Sequence, residues 1–110
     1  MQRRIREYTQ ATLPPALAAT ECPFFVHFGT DWCTPCKRLE RVLGELAVDW
    51  GDTVLVGKVN VEDEPELAKS YAITRNPTLC LFRAGQLVVK REGFSDKAEL
   101  LALLQLSGQA

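Results

Sequence analysis

Six residues, Pro23-Phe24-Phe25-Val26-His27-Phe28, form a nearly continuous apolar run. The run is too short for an ordinary helix and reads as a central strand covered on both faces. A strand of that kind needs layers above and below its sheet, which points to an α/β chain. The rest of the sequence supplies the layers. Leu39, Val42, Leu43, Leu46, Ala47 and Trp50 recur at helical spacing and predict an amphipathic helix that ends near Gly51. Thr53–Val61 reads as the next strand. Glu64-Pro65-Glu66 opens a short helix to about Tyr71, with proline at its first position and acids at the positive end of its dipole.

Thr78–Arg83 and Gln86–Arg91 are two strands joined by the hairpin signal Ala84-Gly85. Ser95 is the expected N-cap of a last helix, Asp96–Leu106. Upstream, Arg3–Tyr8 alternates weakly, as a charged edge strand would. Thr12 or Leu13 to Thr20 reads as a short helix, with Pro14 and Pro15 in its first turn. The expected order is β α β α β α β β α in a single domain spanning residues 1–110.

Composition excludes several functions. A net charge of −1 gives no basic face for nucleic acid. No apolar run approaches the roughly 20 residues that a bilayer span requires. The basic start Met1–Tyr8 is followed by polar residues and prolines rather than an apolar signal core, which reads as a cytoplasmic protein. In that compartment thiols stay reduced, so the four cysteines (Cys22, Cys33, Cys36, Cys80) are better read as chemistry than as staples.

That chemistry centres on Cys33-Thr34-Pro35-Cys36, just past the carboxyl end of the central strand, where open α/β sheets place their sites. The free N–H groups and dipole of a helix start favour an anion, which drives the first cysteine towards the nucleophilic thiolate. The second lies one turn on, within reach of a mixed disulfide formed by the first. Pro35 fits the first turn, where its missing N–H costs nothing.

Trp32-Cys33-Thr34-Pro35-Cys36-Lys37 resembles the Trp-Cys-x-Pro-Cys-Lys motif of the thioredoxin family, and Tyr71-Ala72-Ile73-Thr74-Arg75-Asn76-Pro77-Thr78 is similar to its segment carrying a cis proline. Lys58, Asn60, Gly85 and Gly93 also fall where such proteins carry these residues. The resemblance covers about Phe24–Leu106. It implies a thioredoxin fold, a central mixed β-sheet of about five strands flanked by about four helices. It also implies a thiol–disulfide oxidoreductase in which Cys33 attacks a partner's disulfide and Cys36 resolves the mixed intermediate. Trp32, Thr34, Pro35, Asn76, Pro77, Gly93 and Phe94 become candidates for substrate contact, and Lys58 for electrostatic tuning. Protein disulfides are the implied substrates and a thioredoxin reductase-like protein the electron donor. The redox group is the Cys33–Cys36 pair itself, with no further cofactor, no metal and a monomeric chain.

Departures from the family pattern sharpen the expectations. His27 stands where a buried aspartate is usual. A neutral imidazole there is a candidate proton acceptor for Cys36, and a protonated one would favour thiolate; a plain buried histidine is the alternative. Gly29 replaces a common aromatic and is expected to leave space below the site. Thr34 replaces a glycine, Asn76 an apolar residue and Phe94 a small one, which suggests a dedicated partner. If Pro77 lies beside Gly29, Cys80 faces about Val26, and Cys22 is too far along the sheet to bridge it. The same distances oppose a four-cysteine zinc site, leaving only a metal shared by Cys33 and Cys36 between two chains. Two other functions fit the same residues: a binding or chaperone-like module with little turnover, and an oxidase- or isomerase-leaning relative.

Overall fold

The computed structural model describes residues 5–107. Arg3 and Arg4 of the expected first strand lie outside the described residues. Five strands, β1 (Arg6–Glu7), β2 (Phe24–Gly29), β3 (Leu55–Asn60), β4 (Thr78–Arg83) and β5 (Gln86–Glu92), form one sheet in the order β1-β3-β2-β4-β5. β1 and β2 run parallel to β3, whereas β4 is antiparallel to both β2 and β5. Among the described residues four helices flank it: α1 (Leu13–Ala18), α2 (Thr34–Trp50), α3 (Pro65–Ser70) and α4 (Lys97–Ser107). This is the expected α/β architecture of a five-stranded mixed sheet and four helices.

β2 is central and buried throughout. Its side chains alternate between two cores, as a strand's must. Phe24, Val26 and Phe28 pack with Leu13, Leu17 and Leu67 from α1 and α3. Phe25 packs with Leu39, Leu43 and Leu46 of α2 and with Leu100 and Leu103 of α4. Trp50 stacks on Phe25 with ring centroids 5.5 Å apart, which seats the end of α2 on the sheet.

Element ends moved for local reasons. β3 begins at Leu55 rather than Thr53, because the Thr53 hydroxyl and N–H both donate to the Trp50 carbonyl and close the turn after α2. The cap of α4 is Asp96, not Ser95. The Asp96 carboxylate accepts from the Glu99 N–H and the Glu99 carboxylate accepts from the Asp96 N–H, each at 2.9 Å, a reciprocal capping box. Nothing in the structure explains Gly44, beside which a side chain would meet open space.

Candidate active site

Strand parity places the site. His27 and Gly29 share the parity of Phe25 and so face α2, whose first turn carries the two cysteines. Cys33 is the N-cap of α2, and its sulfur accepts the Cys36 N–H at 3.2 Å. An acceptor at that point satisfies one of the N–H groups that a helix start leaves unpaired. Thr34 and Pro35 are exposed on the outer surface of this turn, while both cysteines are buried and Cys36 is almost fully covered.

Burial pushes the Cys36 thiol up to about 12, helped by its hydrogen bond with Cys33 and opposed by the Thr30 backbone. Near pH 7 Cys36 is therefore a thiol, and it must lose a proton before it can attack. His27 is a base close to it. An added Cβ on Gly29 would lie 2.7 Å from both the Cys36 sulfur and the His27 Nε2, so these two atoms are within twice that distance of one another. This corrects the expectation that Gly29 leaves space: the place of its missing side chain is taken by the imidazole and the sulfur. Gly29 is what lets a ring as large as imidazole sit where the family pattern has a carboxylate.

Burial lowers the His27 pKa to about 4, more than the Glu40 charge raises it, so the ring is neutral near pH 7. A resting imidazolium that favours thiolate does not fit this burial, which leaves a neutral acceptor and a plain buried histidine as the two readings. Neither ring nitrogen has a hydrogen-bond partner, and the buried Thr30 hydroxyl is likewise unpartnered. A neutral imidazole with free nitrogens can accept a proton at one and release one from the other.

Lys58 lies opposite His27 in the β2–β3 register, and its ammonium donates to the Glu40 carboxylate at 2.9 Å. Burial works against the Lys58 charge, but the Glu40 hydrogen bond and charge outweigh it and raise its pKa. Glu40, which sequence reasoning missed, sits one turn after Cys36 on α2. Its only sequence signal was a polar side chain four positions from Cys36, and any solvent-facing acid gives the same signal.

On the partner side, Trp32 is 67% exposed and its indole N–H donates to Glu62 at 3.1 Å. Glu62 is thus the hydrogen-bond partner of the Trp32 indole. The Asn76–Pro77 peptide is cis, Asn76 is exposed and Pro77 buried. The Gly93 N–H donates to the Pro77 carbonyl at 2.8 Å, and Gly93 adopts φ +86°, a backbone region where an added side chain is strained. Phe94 is less open than a free docking residue would be. It packs against the α2–α4 core and carries the Arg38 guanidinium 4.6 Å over its ring.

Cys80 pairs with Val26 in the β2–β4 register, as expected. Cys22 precedes β2 at the sheet's opposite end, its thiol 3.7 Å from the Asp52 carbonyl. All four cysteines are free, and among the described residues no group of three or more His, Cys, Asp or Glu is placed to hold a metal ion.

Comparison with known proteins gives the same assignment. The thioredoxin family model matches residues 4–106. The chain is 34% identical over 101 residues to thioredoxin of Buchnera aphidicola, covering 92% of this chain and 94% of that protein. It is 40% identical over 82 residues to thioredoxin of Acidithiobacillus ferridurans, covering 74% of this chain and 76% of that protein. Among solved structures, chloroplastic thioredoxin z superposes with a TM-score of 0.86 at 27% identity, covering 96% of each chain. A point mutant of Halobacterium salinarum thioredoxin also gives 0.86, at 28% identity, over 97% of this chain and 93% of that one. A dithiol at the start of a helix, above the carboxyl end of a central strand, is the working part of such proteins; this chain belongs to the thioredoxin family and is a protein-disulfide oxidoreductase.

Proposed function

We propose that the chain reduces protein disulfides with Cys33 as the nucleophile, Cys36 as the resolving thiol and His27 as the proton acceptor for Cys36. One observation carries the assignment: Cys33 caps the helix at the edge of the site, while Cys36 lies almost fully buried with the neutral His27 beside it. The Cys33 thiolate attacks a partner's disulfide. One partner sulfur leaves, and a mixed disulfide joins Cys33 to the other. Cys36 gives its proton to the imidazole and attacks the Cys33 sulfur. The Cys33–Cys36 disulfide forms and the reduced partner departs. Exposed Trp32, Thr34, Pro35 and Asn76, with Pro77 and Gly93 behind them, form the partner surface, Phe94 lies at its margin, and Lys58 tunes the field beside His27.

The dithiol is the only redox group this cycle requires. A thioredoxin reductase-like protein recharges it, and a Mycobacterium leprae relative named as a bifunctional thioredoxin reductase/thioredoxin supports that donor, since it matches 86% of this chain over 21% of its own length. Among the described residues no helix is long and apolar enough to cross a membrane. We read the chain as a cytoplasmic monomer without a nucleic-acid or membrane partner.

Cys36→Ser tests the order of attack. It should accumulate disulfide-linked partners through Cys33, seen as reductant-sensitive bands on a gel. Few species would support the dedicated partner that Asn76 suggests, and a broad set would remove it. No trapped species at all would reverse the roles of the two cysteines. The redox-tuning role is tested by His27→Asp. A carboxylate beside Cys36 places a negative charge where the neutral ring has none, which disfavours the reduced, thiolate-bearing form. The midpoint against glutathione should become more reducing by about 30 mV or more, a tenfold change in the equilibrium. An unchanged midpoint would remove His27 from redox tuning.

A further inference from the structure

Two cavities share a wall on the Glu40 side of His27. The smaller, about 10 Å³, is the size of a single water and is bordered by His27, Gly29 and Thr30 together with Glu40 and Lys58. Polar side chains more than nine-tenths buried border it, with both His27 nitrogens and the Thr30 hydroxyl unpartnered. Buried polar groups without a protein partner are the usual setting of an ordered water. The larger pocket is open, about 620 Å³, and runs along α2 past Lys37, Arg41 and Gly44. Thr30, Asp31, Glu40 and Lys58 line both. The Glu40–Lys58 ion pair therefore stands between the buried imidazole and solvent.

We propose that Glu40 is the carboxylate of this site: it receives, through one water in the small cavity, the proton that leaves Cys36 by way of His27, and passes it to solvent. Glu40 acts through His27 and is in that sense a positioning residue. The inference rests on His27 being the acceptor. The Cys36 S–H bond breaks and an N–H bond forms on the imidazole. The ring releases a proton from its other nitrogen to the water, and the water protonates Glu40. The Cys36 sulfur, now anionic, forms the S–S bond to Cys33, and the partner leaves as a thiolate that takes its proton from solvent. The partner disulfide is reduced and the dithiol oxidised.

The need for such an outlet follows from the burial of the ring. A histidine that holds a proton poorly cannot store the one it takes from Cys36, so the proton must travel onward. The charges facing the ring are Glu40 of α2 and Lys58 of β3, with Glu7 of β1 and the exposed Asp31 also bordering the cavity. Among these acids Glu40 is the one whose charge acts on both His27 and Cys36. Lys58 holds its carboxylate in place.

Electrostatics and relay predict opposite signs. The Glu40 charge disfavours thiolate at Cys36, so removing it should speed resolution if charge were its only role. A relay predicts slower resolution. The full-length reduced protein is mixed with 5,5′-dithiobis(2-nitrobenzoate), and release of the second thionitrobenzoate reports the attack of Cys36. Glu40→Gln should slow that phase by about tenfold or more near pH 7. Added imidazole buffer should restore it, and the deficit should shrink as pH rises. Glu40→Asp should retain part of the rate. A Glu40→Gln rate equal to or above the parent's, or a deficit indifferent to both buffer and pH, overturns the relay. His27→Gln separates the two readings. If it is slow while Glu40→Gln is not, the acceptor stands and the relay fails; if it matches the parent, both fail.

Discussion

Cys33→Ser should leave a folded protein whose disulfide-reducing activity falls by at least about 10³-fold, to the uncatalysed rate. The sulfur is buried, and a hydroxyl of similar size can still accept the Cys36 N–H at the start of α2, so the fold has no reason to change. The chemistry does. A serine hydroxyl does not ionise near neutral pH and forms no disulfide, and Cys36 is too buried and too protonated to take its place. Insulin reduction followed by turbidity, alongside urea unfolding of the same variant, checks both halves. Substantial residual turnover would move the nucleophile elsewhere. A parent protein that turns over no faster than the variant would instead favour a binding module.

Acid should destabilise this protein more steeply than its carboxylates alone would dictate, and His27 should be the reason. Its pKa lies at about 4 in the fold against 6.5 in the unfolded chain. Between those values the unfolded chain binds a proton that the native one refuses, so stability is fully present above about pH 6.5 and is lost as pH falls through 4. At 1.36 kcal/mol per unit, this single site removes about 3 kcal/mol, a large part of a small domain's stability. His27→Leu removes the titrating group, so the difference in unfolding free energy between parent and variant, measured in urea from pH 7 to 4, should shift by about that amount. A parallel pair of curves would mean that the ring stays protonated, or solvated, in the native state.

Much of this molecule was legible in its residues. The apolar run around Val26 can be buried on both faces only by a sheet with helices on each side, and the hairpin at Ala84-Gly85 fixes the direction of β4 against β5. The Cys33–Cys36 spacing made a dithiol at a helix start readable, because three positions within one turn bring side chains to the same end of a helix. The cis bond at Pro77 was readable only through the family resemblance. Boundaries were less legible. Asp96 displaced Ser95 as the cap because the reciprocal bonds with Glu99 require an acceptor side chain three positions ahead of it, and Ser95 lies four ahead. Phe94 departs from the small residue of the family pattern, and only the structure shows it packed against the core under Arg38.

What the sequence determined by itself was everything that depends on spacing along the chain: the elements, the dithiol, and the parity that turns His27 towards α2. What only the tertiary structure decided was everything that depends on distance across it. Glu40 and Lys58 are 18 positions apart and meet at 2.9 Å because β3 lies beside β2 beneath α2. Gly29 had looked like an opening and is a filled contact, since its neighbours are the Cys36 sulfur on one element and the His27 ring two residues back on its own strand. The charge state of His27 belongs to the same class. A histidine in a sequence is poised near neutrality, and only the number of atoms excluding water from its ring decides that this one is uncharged.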